Sequence, residues 1–137
     1  MSWLRQNLKG LLYLTLTAYW IFIFCLTHVP STEKLPGPQN DKLAHFVAYT
    51  GLAFLLGFVV LLRRPDVLTA FGIVMTISLL YAISDEALQL LVAGRTAELL
   101  DGVADMIGAV CGFVLSFLIL TAIKRCYGAT IEVPTGE

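Results

Sequence analysis

Three short stretches carry the residues that could do chemistry in this chain. In Asp41-Lys42-Leu43-Ala44-His45-Phe46-Val47-Ala48-Tyr49, the side chains of Asp41, His45 and Tyr49 recur at i, i+4 and i+8 and share one helix face. At 1.5 Å of rise per residue, His45 falls roughly 6 Å and Tyr49 roughly 12 Å below Asp41. A carboxylate one turn from a histidine can hold its tautomer and raise its basicity, which suits a general base or a metal ligand. The plainer alternative is a helix cap at Asp41 and an interfacial His45.

The second stretch, Tyr81-Ala82-Ile83-Ser84-Asp85-Glu86-Ala87-Leu88-Gln89, sets two carboxylates side by side. On a helix they diverge by about 100°, so one can face the protein interior while the other meets water or headgroups. Gln89 shares a face with Asp85 at i+4 and with Glu86 at i+3, and spacing leaves both pairings open. The third stretch, Gly94-Arg95-Thr96-Ala97-Glu98-Leu99-Leu100-Asp101-Gly102-Val103-Ala104-Asp105, ends in carboxylates at i and i+4. Both sit at a helix N-terminus, where the dipole favours anions. Asp101 there can be an ordinary cap, but Asp105 lies a turn deeper and needs a partner. Arg95 is the obvious one, unless its guanidinium holds a phosphate or carboxylate of a ligand.

The elements that position these residues follow from hydropathy. Of 137 residues, 58% are hydrophobic and only 14% charged, too few charges to cover a soluble domain. Four apolar stretches, 11–27, 43–62, 67–91 and 102–123, have or approach the length that crosses hydrocarbon. Contiguous apolar runs satisfy their backbones as helices rather than as barrel strands, so the expected fold is all-α, an integral membrane bundle of four transmembrane helices in one domain spanning 1–137. Pro30, Pro36 and Pro38 mark the first loop, Arg63-Arg64-Pro65-Asp66 a tight second turn, and Gly94 the third break. Trp20 could anchor at the interface or pack between helices. Bulky Phe22-Ile23-Phe24-Cys25 offers no signal-peptidase site, so the first segment is expected to be a retained anchor.

Arg5, Lys9, Arg63, Arg64, Lys124 and Arg125 fall on one side of the membrane and Lys34, Lys42 and Arg95 on the other, which predicts cytoplasmic termini. The outer side then receives Glu33, Asp41, Asp85, Glu86, Glu98, Asp101 and Asp105, seven of the ten acids. Positive-inside sorting does little to place acids, so this crowding implies a use for carboxylates. The net charge of -1, without a basic run, argues against nucleic acid. Cys25, Cys111 and Cys126 are too scattered for a disulfide framework or a metal motif. One histidine among scattered acids is a weak metal signal, and no metal or cofactor is expected. Gly108 and Gly112 form a small-xxx-small step suited to close helix contact.

Taken together, Asp41-Lys42-x-x-His45-x-x-x-Tyr49, Ser84-Asp85-Glu86-x-x-Gln89, Gly94-Arg95 and Asp101-x-x-x-Asp105-x-x-Gly108 resemble the VanZ family from about Asp41 to Gly112. The resemblance implies a small multi-pass protein of the bacterial cytoplasmic membrane, in a family whose namesake is associated with resistance to the lipid-bearing glycopeptide teicoplanin. Asp105 departs from the pattern, since the family often has Asn there.

Two functional readings lead. In the first, an extracytoplasmic pocket of Asp41, Lys42, His45, Tyr49, Asp85, Glu86, Gln89, Arg95, Asp101 and Asp105 recognises an envelope lipid or lipid-linked component, with Tyr49 closing its floor. In the second, the protein is a membrane-embedded enzyme acting on such a lipid. His45 is then the general base, Glu86 or Asp101 the acid, and Arg95 the electrostatic stabiliser. A metal-assisted form would draw on His45, Glu86, Asp101 and Asp105. A proton-coupled carrier fits less well, because the cytoplasmic half is almost purely apolar, although a homo-oligomer could supply a pathway that one subunit lacks.

Overall fold

Lipid offers no partner to a backbone N–H or C=O, so an apolar run that enters it must close its own hydrogen bonds as a helix. Among the described residues four do so: α1 (Ser2–His28), α2 (Pro38–Leu61), α3 (Val67–Gln89) and α4 (Leu99–Ala129). This computed structural model describes residues 2–28, 38–63, 66–92 and 98–129, with side chains described for 7, 9–28, 42–63, 66–92 and 98–126. The segments long and apolar enough to cross a membrane are Lys9–His28, Lys42–Leu61, Val67–Gln89 and Leu99–Cys126. The expected spans sit on these helices, but α1 and α4 run further at both ends and α2 at its start. Hydropathy marks only the part that meets hydrocarbon, whereas the helical hydrogen-bond ladder continues into the interface. At the other extreme, α3 stops two residues short of its expected end, with Leu90 as its C-cap.

The closest packing is between α2 and α4. A Cβ at Gly108 would collide with the Phe46 carbonyl oxygen, and one at Gly112 with the Thr50 carbonyl oxygen and the Phe54 amide nitrogen. The small-xxx-small step therefore brings the two backbones together, as its spacing predicted. Lower down, Gly57 of α2 gives the same room to Ser116 of α4. The contacts Phe46 to Gly108, Thr50 to Gly112 and Gly57 to Ser116 advance together along both chains, so α2 and α4 run parallel.

Around this pair, α3 presents a stripe of Ala70, Val74, Ser78, Ala82, Asp85 and Gln89 to the interior. Its small residues let α3 settle against Leu52, Ala53, Leu56, Ala109 and Phe113, and Phe71 meets Phe113 edge-on at 5.3 Å. The outermost helix is α1, with Leu16 and Ile23 as its buried hydrophobics. Tyr19 of α1 covers Gly51 and donates a 3.1 Å hydrogen bond to the Ala48 carbonyl. Trp20 packs edge-on against Tyr81 at 5.2 Å, which makes it a packing residue. With α2 and α4 parallel and α3 returning between them, the C-terminal ends of α1 and α3 meet the N-terminal ends of α2 and α4 at one end of the bundle.

At the opposite end Asp66 caps α3, its Oδ2 accepting the Thr69 N–H at 2.8 Å. Hydrogen bonding from Thr69 lowers the Asp66 pKa below the usual carboxylate value. A carboxylate whose folded pKa is depressed stabilises the fold above its unfolded pKa, and that contribution is lost as pH falls through the folded value. Amide exchange at Thr69 is expected to accelerate as pH falls below the ordinary Asp range, relative to neighbouring amides, and Asp66→Asn should remove that pH dependence. A second expectation concerns the α2–α4 contact. Gly108→Leu should cost about 1–3 kcal/mol by overpacking, read as a lowered unfolding midpoint in detergent. Gly72→Ala, which meets nothing within 4 Å, should not lower it.

Candidate polar site at one end of the bundle

The parallel register of α2 and α4 sets the polar residues of their N-terminal turns against one another. Lys42 donates to Asp101 Oδ1 at 2.9 Å and to Glu98 Oε2 at 2.8 Å, so one ammonium ties the start of α4 to α2. One turn deeper, His45 Nδ1–H donates to Asp105 Oδ1 at 3.0 Å. Both are buried, His45 to 5% exposure and Asp105 to 1%. The structure thus gives Asp105 a partner in His45 on α2, while Arg95, the partner expected from the sequence, lies outside the described residues. Because residue 105 is an acid, this bond to the imidazole N–H is charge-assisted whenever the carboxylate is ionised, which a neutral amide could not match.

Facing this pair from α3 is Glu86, half-buried, whose Oε2 accepts the Glu98 N–H at 3.2 Å. Ligand atoms of His45, Glu86 and Asp101 all lie within 4.8 Å of one another. Side chains from three separate sequence stretches therefore converge on one point.

Asp85 turns a different way. It lies on the small-residue stripe of α3, is 2% exposed, and accepts from Gln89 Nε2 at 2.7 Å and from Thr27 Oγ1 at 2.9 Å. His28 Nδ1 stands 3.7 Å from the same carboxylate. This settles the facing question in favour of the Asp85–Gln89 pairing. The first helix, expected to be an anchor, also supplies polar groups here, since Thr27 and His28 at its end close one side of Asp85. The helix takes in His28 as well, whose side-chain Nδ1 bonds the Phe24 carbonyl at 2.9 Å within α1. The available signal was weak, consisting of two polar residues ending an otherwise apolar run.

Tyr49, one turn below His45, stacks on Tyr81, one turn below Asp85, with centroids 5.7 Å apart. The two rings lie under both polar groups. Among the described residues, buried polar atoms without a hydrogen-bond partner include Tyr49 OH, Tyr81 OH, Glu86 Oε1 and Asp105 Oδ2. The Asp41 side chain and Arg95 lie outside the described residues.

Between α3 and α4 an apolar groove of about 840 Å³ opens sideways, lined by Leu79, Ile83, Val103, Met106, Ile107 and Val110 among others. Glu86 and Glu98 stand at its polar end. The groove is thus an apolar trough that ends at charged and hydrogen-bonding groups.

The buried pair makes a testable claim. Removing one partner of a buried hydrogen-bonded pair leaves the other unsatisfied, at a cost of about 1–3 kcal/mol, and more where it is charged. His45→Ala should lower stability by that order in denaturant titration, and adding Asp105→Asn should recover part of the loss. Additive single effects would mean that the two residues are not coupled.

A family model described as VanZ/LLP1 matches residues 23–120, from within α1 to near the end of α4. No curated protein and no solved structure gives a significant match.

Proposed function

With the match covering well over half of its length, the chain belongs to the VanZ/LLP1 family, and from that premise we propose that it recognises an envelope lipid or lipid-linked component in the bacterial cytoplasmic membrane. The positive-inside count supports cytoplasmic termini and an extracytoplasmic polar end. The observation that carries the reading is the groove between α3 and α4, apolar along its length and ending at Glu86 and Glu98. An acyl chain would lie in the trough, in exchange for lipid contacts of the same kind. The headgroup would meet Glu86, Glu98, Asp101 and Lys42, which can accept from and donate to sugar hydroxyls or amines. Arg95, close in sequence to Glu98, is the candidate for an anionic group. Family resemblance extends the reading to acyl-bearing glycopeptides of the teicoplanin type, whose chain suits the same trough.

An enzymatic reading is favoured by one specific feature, the buried His45–Asp105 hydrogen bond facing a carboxylate from another helix. Asp105 would orient the imidazole as base, and Glu86 would serve as acid.

Purified protein incubated with bacterial envelope lipid extract and recovered by gel filtration is expected to retain a discrete lipid class, detected by mass spectrometry. Bulky substitution in the trough, Val103→Trp, should reduce retention at least tenfold. Retention of bulk phospholipid in proportion to its abundance, by wild type and variant alike, would contradict recognition. A chemically altered lipid that disappears with His45→Ala would establish the enzyme instead.

A further inference from the structure

The convergence of His45, Glu86 and Asp101 calls for an account that lipid binding does not supply. Three potential ligand atoms, one imidazole nitrogen and two carboxylate oxygens, come from α2, α3 and α4 and lie within 4.8 Å of one another. A tetrahedral ion with bonds of about 2.0–2.1 Å holds its ligands about 3.3 Å apart, so side-chain rotation of an ångström or so would close the set. From this geometry we infer that His45, Glu86 and Asp101 form a binding site for a divalent first-row transition ion.

Two further features of the structure point to a cation. The Nδ1 edge of His45 is held by Asp105, the arrangement in which a metal-bound histidine is oriented by a carboxylate through its other ring nitrogen. That assigns Nε2 as the ligand and Asp105 as an orienting residue outside the coordination shell. Independently, Glu86 Oε1 is buried without a hydrogen-bond partner among the described residues, although a carboxylate oxygen withdrawn from water ordinarily has one. A cation at the convergence point satisfies it. Lys42 does not take that place, since its ammonium is engaged by Asp101 Oδ1 and Glu98 Oε2.

The donor set selects the ion class. A nitrogen ligand and only three donors among the described residues disfavour Ca²⁺ and Mg²⁺, which take six or more oxygens or keep their water. Imidazole with carboxylates suits Zn²⁺, Co²⁺ or Mn²⁺, with affinity rising from Mn²⁺ to Co²⁺ in the general order for divalent ions and Zn²⁺ also above Mn²⁺. Three protein ligands leave a position for water or a ligand group, and Glu86 also lines the groove, so the ion sits at the groove's polar end. The inference concerns the same polar cluster as the proposed function but does not rest on it.

The test uses the full chain, purified without a polyhistidine tag, stripped with EDTA and titrated with Zn²⁺, Co²⁺, Mn²⁺ or Mg²⁺ alone, no lipid being added. About one equivalent of Zn²⁺ per chain should survive desalting, measured by elemental analysis, with Mn²⁺ at least tenfold weaker and Mg²⁺ not retained. Bound Co²⁺ should show ligand-field absorption. Glu86→Gln, a near-isosteric change at a half-buried position, should weaken Zn²⁺ at least a hundredfold while eluting as the wild type does. Asp105→Asn should weaken it by about 10–100-fold and shift the Co²⁺ bands without abolishing them. Thr27→Val, in the Asp85 cluster, should bind as wild type. Absence of a retained ion, undiminished binding by Glu86→Gln, or preference for Mg²⁺ would each overturn the assignment. Ion uptake without lipid retention would support this inference and count against the proposed function, and lipid retention without ion uptake the reverse.

Discussion

The close parallel contact of α2 and α4 is the constraint on which the rest of the molecule depends. Helices immersed in lipid gain little from burying apolar surface against each other, because the tails are as apolar as leucine; association rests on close packing and on polar pairs. Gly108 and Gly112 allow the first by admitting the α2 backbone at Phe46 and Thr50. The same approach fixes the register that supplies the second, with Lys42 opposite Asp101 and His45 opposite Asp105. Glycine packing and polar pairing therefore belong to one interface, and a shift of one turn would break both.

The polar groups at this end of the bundle are expensive residents. A charged side chain inside a membrane protein persists only if it is paired or faces a hydrated cavity. The structure divides the burden between two centres. Asp85 is enclosed by donors from α1 and its own helix, Thr27 and Gln89. His45, Asp105, Glu86 and Asp101 instead converge from three helices beside an open groove. The first centre has the character of a fixed structural knot that holds α1 to α3. In the second, polar capacity remains directed at one point, and that difference is why the functional reading is attached there. The stacked Tyr49 and Tyr81 separate both centres from the apolar lower half.

Much of this architecture is legible in the sequence, for physical reasons that differ from feature to feature. The four helices could be read because backbone desolvation in lipid tolerates little else for long apolar runs. The Gly108–Gly112 contact could be read because only the absence of side chains allows such an approach. Asp101 was legible as a first-turn acid, and it does lie in the first turn of α4. The partner of Asp105 was not legible, because it depends on the register of two helices 60 residues apart in sequence. Nor was the facing of Asp85. When every face of a helix is apolar, hydrophobic periodicity no longer marks the interior, and the useful signal is the run of small residues Ala70, Ser78 and Ala82 leading to Asp85 and Gln89. Thr27 and His28 were missed for a related reason, since their role exists only once the end of α1 meets α3.

The most direct test of the account is cysteine cross-linking between α2 and α4 in native membranes. With Cys25, Cys111 and Cys126 replaced by serine, the pair Lys42→Cys and Asp101→Cys should cross-link readily with a short bifunctional thiol reagent that spans the gap the lysine side chain bridges, linking the two helices through their first turns. A matched pair placing one cysteine at Lys42 and the other at Leu118 should not. Efficient trapping of the second pair, or failure of the first while the protein remains folded, would contradict the parallel register from which the polar site is built.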